Sequence, residues 1–487
     1  ARRRTKPSVA SDPPATGPAT AAGGAPRISR RRVLRVAGGG VAVAAGVAAL
    51  YGGLALVAHP PRRAVAPPPG GYPEGQYQIL DYGIRIQPDS ASGVPAIVPP
   101  QWNVVLTARL AREPGPRDQQ RLEAALAAVE AAYPYSPAGV FALVAYGLPY
   151  FRAHLPPALF AEHLPHMADS SAAPVLLDAI RFPDDPPELL LEANDVAFHL
   201  RSDVLANLRD VQQALFGRGG KLAGQPAPAA DLSDLFHLTS VRTGFIGAGL
   251  PRQMAQQAGM TVAAQIPAAA PLFMGFTSTQ HLGQAQEETV RFDGQPDPLL
   301  APLTTARATD YFAGGTALHL SHLREDLAGW YALDYDQRVA RMFHLNAATT
   351  PGRITVQTFW LNPNTAELDA QQHGLIGHNE AVQRGSRTPE GQPLQLRVDF
   401  NTLDALDASP ATTPAMGTPG VHFLAFTAGS SIFHQSRLQM GAATLARRYG
   451  IAPGANGINS FIRATRRQNF LVPPRRHRAF PLLELKP

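Results

Sequence analysis

Cysteine is absent from the 487-residue chain, so neither a disulfide nor a thiolate enters its chemistry. Any metal must sit on imidazole, carboxylate or a prosthetic group. Among the fifteen histidines, His319 and His322 are three apart in an alternating, strand-like stretch, where such positions face opposite sides and chelate poorly. His373 and His378 are five apart. The alternation from Leu394 to Phe400 puts Arg397 and Asp399 on one strand face, where the carboxylate could orient the guanidinium. A solvent-facing strand would show the same pattern. The chain has no Gly-x-x-x-x-Gly-Lys-Ser/Thr phosphate loop and no Gly-x-Ser-x-Gly elbow, so nucleotide and serine-hydrolase chemistry lack a foothold.

The elements that would position these groups begin near Tyr77. Val104 to Leu110, Val140 to Gly147 and Leu189 to Ala193 read as strands. Asp118 can cap a helix that carries Leu122, Leu126, Val129 and Tyr133 on one stripe, and a second helix from Asp195 aligns Val196, Leu200, Val204, Leu208 and Leu215. After a Gly/Ala/Pro-rich bridge, Gly217 to Ala230, similar elements return: a strand from Thr316 to Leu323, a helix from Asp334 to His344, a strand from Val421 to Phe426 and a long helix from Ser431 to Arg448. A strand from Ile354 to Trp360 and the Pro/Ala-rich stretch from Ala408 to Pro419 read as decorations. This order predicts an α+β fold of two ferredoxin-like modules with antiparallel sheets and flanking helices, over residues 78–230 and 231–487.

The net charge of +6 is unevenly spread. Eleven Lys and Arg up to Ala66 face only Asp12, which leaves the rest of the chain slightly acidic. A second basic cluster, Arg463 to Arg478, closes the chain, but no aromatic-interleaved basic stripe joins the two, so nucleic acid is not the expected partner. Residues 1–28 read as a disordered basic N-terminus. Ser29-Arg30-Arg31-Arg32-Val33-Leu34, followed by an uncharged, Gly/Ala-rich run through residues 36–58, has the pattern of a twin-arginine export signal, which carries folded and often cofactor-loaded proteins. That pattern predicts engagement of the twin-arginine translocation machinery and a periplasmic or extracellular location. Cleavage after Ala66 and retention through residues 36–58 as a membrane anchor both fit. Residues 59–77 are a Pro-rich linker.

Several weak motifs, in order, resemble the dye-decolorizing peroxidases. Phe273-Met274-Gly275-Phe276-Thr277-Ser278-Thr279 resembles that family's Gly-Phe-x-Asp-Gly loop. Phe312-Ala313-Gly314-Gly315-Thr316 and Asp326-Leu327-Ala328-Gly329-Trp330 resemble its Gly-Gly strand and its Asp-Leu-x-x-Trp step. Gly420 to Phe426, and Asn459 to Pro474, look like its closing strand and Phe-x-x-Pro-Pro tail. The similarity covers roughly residues 78 to 475.

The resemblance implies a dimeric α+β barrel type of fold, with haem b (iron protoporphyrin IX) held in the second module. It implies His378 as the iron ligand, about a hundred residues after the Gly-Phe loop, and Arg397, nineteen residues on, as the distal arginine. Gly275 and Phe276 would border the cofactor. A competing alignment places Gln395 at the ligand position, which would leave no histidine. Glu380 is one acceptor that could orient the His378 ring. Ser278 and Thr279 depart from the family, standing where it carries Asp and Gly; a hydroxyl is a poor base, although it can hold a relaying water. The implied function is reduction of hydrogen peroxide by an organic reductant, weakened by that departure. The alternative is a non-catalytic haem or porphyrin carrier, or a scaffold, that keeps the fold. Self-association into a homo-oligomer stays open.

Overall fold

The computed structural model describes residues 72–77, 85–88, 95–276, 284–345, 347, 364–404 and 418–486. Residues 1–58, Ser278, Thr279, the expected strand 354–360 and most of the stretch 408–419 lie outside the described residues. The first half runs β1 (Trp102–Leu110), α1 (Pro116–Ala132), β2 (Phe141–Gly147), β3 (Val196–Ser202), α2 (Leu205–Phe216) and β4 (Phe236–Phe245). The second runs β5 (Thr316–Glu325), α3 (Tyr335–Met342), α4 (His378–Ser386), β6 (Leu396–Arg397), β7 (Phe400–Thr402), β8 (Gly420–Thr427), α5 (Ser430–Gly441), α6 (Ala443–Tyr449) and β9 (Ile462–Val472).

These strands form one antiparallel sheet that closes on itself. In the first half the order is β4-β1-β3-β2, and in the second β7-β8-β5-β9. Phe470 and Leu471 of β9 pair with Gly147 and Tyr146 of β2, and Asn401 of β7 pairs with Phe245 of β4. Those two seams turn the sheet into a barrel, which leaves the ring without an open edge. The molecule is therefore α+β, with a barrel-like sheet and helices on its outer face.

Alternation along the strands decides what lies on each side. Val105, Ala197, Leu318, Leu320, Val398 and Phe400 belong to one buried cluster, inside the ring. Their sequence neighbours Val104, Leu106, Val196, Phe198 and Ala317 belong to another, which also takes in side chains of α1 and α2. Among the described residues no helix is long and apolar enough to cross a membrane.

Four expectations need correction. Val196 to Ser202 is a strand rather than the start of a helix, because Val196, Phe198 and Leu200 also satisfy a period of two; the helix starts at Leu205. Leu190–Leu191 forms only a short strand parallel to β9. Asp118 sits one turn into α1 and accepts from Gly115 N at 3.0 Å, so Gly115 occupies the cap position. The long helix is broken at Ala442, whose φ of 47° ends α5 and reorients the chain into α6.

Candidate functional site

A cavity of about 620 Å³ lies between the outer face of β5, β6 and β8 and a wall made by α4, α5 and residues 458–464. Met274, Phe276, Phe343, Phe423, Phe433 and Ile458 give it an apolar lining. His378, Arg397 and Asp399 all reach it.

His378 is the first residue of α4. Gly377 precedes it as the cap, and a side chain there would collide with the carbonyl of Phe343, which a Cβ would meet at 2.2 Å. The residue before the cap is tied to the loop before β9: Ile376 N donates to Ala455 O at 2.9 Å and Gly457 N to Ile376 O at 2.7 Å. Burial, with Arg397 and Arg437 nearby, pushes the imidazole down to about 3, so it is neutral. Its Nδ1 is buried and meets no partner among the described residues, which leaves Nε2 as the nitrogen that can address the cavity. Glu380 does not supply the missing acceptor. Its carboxylate accepts from Gly377 N and closes a capping box, and burial raises it to about 8.

Arg397 and Asp399 face the cavity from the sheet. Leu396, Val398 and Phe400 point into the barrel, so the residues between them point out. Gln284 holds the backbone of Arg397 in both directions, accepting from its N–H at 2.8 Å and donating to its carbonyl at 3.3 Å. Asp399 accepts from Leu424 N at 3.2 Å. Burial raises Asp399 to about 7 despite the opposing pull of Arg397 and that N–H.

The Gly-Phe loop is pinned beside them. Asn401, the next outward residue after Asp399, accepts from Phe273 N at 2.8 Å and donates to Pro271 O and Phe245 O at 2.8 and 3.0 Å. Trp330 Nε1 donates to Met274 O at 2.8 Å and Tyr331 to Phe273 O at 2.7 Å, so the Asp326-to-Trp330 step serves this loop. Gly275 has a φ of 88°, and a Cβ there would meet the Tyr331 hydroxyl at 2.8 Å. The turn aims Met274 and Phe276 into the cavity, while Gly275 itself backs onto Tyr331. Ser278 and Thr279, two and three residues beyond Phe276, lie outside the described residues.

Gln395 is engaged elsewhere, since its amide donates to the Ser436 hydroxyl at 2.5 Å and the residue does not line the cavity. His319 and His322 do face opposite ways. The first stacks on Phe433 and bonds Asn469 and Ser321; the second lies inside the barrel against Thr465 and His422. His373 is exposed at the end of the helix Thr365–His373. No group of three His, Asp or Glu side chains among the described residues is placed to hold a metal ion.

Sequence reasoning missed the acidic pair at the cavity's edge. Asp184 accepts from Arg437 at 2.7 Å, and Asp185 from Arg467 at 2.6 Å, the second pair almost fully buried. An Asp-Asp step followed by Pro186-Pro187 was the available signal, a loop that presents carboxylates. The closing arginine cluster is likewise absorbed by carboxylates: Arg463 by Glu188, Arg466 by Glu192, Arg475 by Glu130, Arg476 by Glu74 and Arg478 by Glu123 and Glu130.

The profile of the Family of unknown function (DUF7405) matches residues 100–474. No curated protein matches the chain. Among solved structures, the chain is similar to the encapsulated DyP-type peroxidase from Mycobacterium smegmatis, at 14% identity and a TM-score of 0.48, over 84% of this chain and 98% of that one. It is similar to the dye-decolorizing protein from V. cholerae at 14% identity and a TM-score of 0.44, over 78% and 95%. DyPB from Rhodococcus jostii RHA1 gives 12% and 0.46, over 78% and 96%.

Proposed function

The chain belongs to the Family of unknown function (DUF7405), and we propose that it is a haem-dependent, peroxidase-like oxidoreductase that reduces hydrogen peroxide at the expense of an organic reductant. The observation that carries this reading is the meeting of His378 and Arg397 in one largely apolar cavity. The residues fit haem b. A neutral imidazole with one nitrogen toward the cavity is a competent iron ligand, and aromatic and aliphatic side chains suit the flat faces of a porphyrin.

In this reading His378 holds the iron, and Phe276 and the turn at Gly275 border the ring. Haem supplies the electrons that reduce the peroxide. Arg397 stabilises the negative charge that grows on the leaving oxygen, in a site where burial strengthens the interaction. Ser278 and Thr279 are poor bases, so turnover that relied on the loop alone would be weak.

The second reading, a non-catalytic haem or porphyrin carrier, is favoured by the orphaned Nδ1 of His378. Without an acceptor the imidazole pushes little electron density toward a metal. One experiment separates the readings. Protein expressed with a haem supply should show a Soret band that His378→Ala removes; a band without peroxide-dependent dye oxidation selects the carrier, and no band at all ends both.

The same proposal treats the barrel as two ferredoxin-like modules. Strand orders β4-β1-β3-β2 and β7-β8-β5-β9 support it, and in this reading β4 carries the first module past residue 230 to Phe245. We further propose export by the twin-arginine pathway to the periplasm or beyond, with residues 36–58 as signal or anchor. Replacing Arg30, Arg31 and Arg32 by Lys should then retain the protein inside the cell on fractionation; unchanged export would refute the assignment.

A further inference from the structure

We infer that Asp399 is the proton-transferring group of this cavity, doing from the barrel strand what the resemblance assigns to the loop position now held by Ser278. The inference rests on the proposed function and adds the residue that the altered loop lacks. Three observations carry it.

The first is direction. Leu396, Val398 and Phe400 are committed to the barrel core, so strand alternation forces the Arg397 and Asp399 side chains out together, and both line the cavity. The second is position along the sheet. Arg397 pairs with Ala425, which pairs with His319, and Asp399 accepts from Leu424, the neighbour of Ala425 on that strand. Glu325, the other carboxylate that β5 sends into the cavity, is six residues beyond His319, or about 20 Å along the strand at ~3.3 Å per residue. Asp399 is thus the carboxylate that shares a station with Arg397. The third is availability. Asp184 and Asp185 are taken by Arg437 and Arg467, and Arg463 by Glu188. Asp399 has one backbone N–H, from Leu424, and the charge that acts on it is Arg397. Burial leaves it titrating at about 7, suited to take up and release a proton near neutral pH.

The step balances as follows. The Asp399 carboxylate takes a proton from one oxygen of hydrogen peroxide and gives it to the other. The O–O bond breaks heterolytically, the electron pair leaves with the protonated oxygen, and that oxygen departs as water. The organic reductant would supply two electrons, which with two protons convert the remaining oxygen to a second water. Arg397 carries the negative charge while the bond breaks.

Cyanide tests the proton step without turnover, because hydrogen cyanide must lose its proton to bind ferric haem as an anion. With the full chain loaded with haem, the association rate of cyanide should fall by on the order of 10²-fold in Asp399→Asn, and its inflection near neutral pH should vanish. Asp399→Glu should restore part of both. The haem-free protein gives an independent readout: infrared difference spectra between acid and neutral pH should lose one buried carboxylic acid band in Asp399→Asn. A full Soret band in Asp399→Asn with an unaltered cyanide profile overturns the inference and leaves the proposed function standing. A lost band in that variant makes Asp399 structural and overturns it too. A wild-type protein that takes up no haem fails at the earlier step and removes the proposed function with it.

Discussion

His378 and Arg397 enter one cavity from different layers of the fold, the imidazole from the first turn of a helix and the guanidinium from a barrel strand. After burial, Arg397 is the leading influence that keeps the imidazole neutral. Nineteen residues of sequence separate them, yet their juxtaposition depends on contacts much further away: the loop before β9 that positions α4, and Gln284, which fixes the Arg397 backbone. The site is therefore a product of the closed barrel rather than of a local motif.

Gln395 provides a direct check on which residue addresses the cavity. Gln395→Leu should keep the Soret band, since the amide is engaged with Ser436. Stability should drop by roughly 1 kcal/mol for the lost hydrogen bond. Urea unfolding of the two proteins measures the second effect, and absorbance the first; loss of the band in this variant would revive the alignment that makes Gln395 the ligand.

Asn401 should matter more than its absence from the cavity lining suggests. Its amide satisfies Phe273 N–H and the carbonyls of Pro271 and Phe245. Asn401→Ala leaves these buried groups without that partner, at roughly 1–3 kcal/mol for each one that water cannot reach. We expect a destabilisation of at least about 2 kcal/mol in chemical denaturation, together with faster proteolysis near residue 276. A stable variant with an unchanged digestion pattern would show that the loop holds itself.

Much of this was legible in the sequence where a single period dominates. Val104 to Leu110 and Thr316 to Leu323 alternate cleanly and are strands. Val196 to Leu208 satisfies both periods, and only the barrel, which buries both faces of β3, decides for a strand. Arg397 and Asp399 could be placed on one face from alternation alone, but which face met a cavity could not. Sequence nearness left the role of Glu380 open, because a carboxylate two residues from a histidine can instead cap the helix that carries both. The Asp184 and Asp185 pairs were out of reach, since their arginines are 253 and 282 residues away.

The two classes of arginine pair should respond differently to truncation. Asp185 and Arg467 are each 1% exposed, and Arg467 also lies over the Phe182 ring. Asp185→Ala would leave a buried guanidinium without its main counter-charge, at about 3–5 kcal/mol. Glu74 and Arg476 are exposed, so Glu74→Ala should cost less than about 1 kcal/mol. Thermal unfolding of both variants orders them, and equal effects would mean that the Asp185 pair is better solvated than its surroundings indicate.

The pH dependence of stability follows from two opposed sets of buried groups. His199, His319, His322 and His422 are held well below the ordinary histidine range, chiefly by burial, with His378 at about 3 and His434 at about 4. Unfolding frees these rings to protonate, so the unfolded chain binds more protons below an ordinary histidine pKa of about 6.5, and stability falls as pH drops through that value. Asp399 and Asp404 at about 7, and Glu325 and Glu380 at about 8, are raised chiefly by burial and stay protonated in the folded chain where the unfolded chain has ionised. Their contribution is complete below about 4 and is lost as pH rises toward 7 and 8. Between roughly 4.5 and 6.5 the six histidines outnumber the four carboxylates, and stability rises with pH; above 6.5 only the carboxylates titrate, and it declines until about 8. The unfolding temperature should therefore peak near pH 6.5 and fall on both sides. Asp404→Asn, which removes the carboxylate 3.7 Å from His422, should steepen the acid-side rise and lessen the fall up to about pH 7; a profile that climbs steadily from pH 6 to 8 would show that these carboxylates are charged in the folded protein.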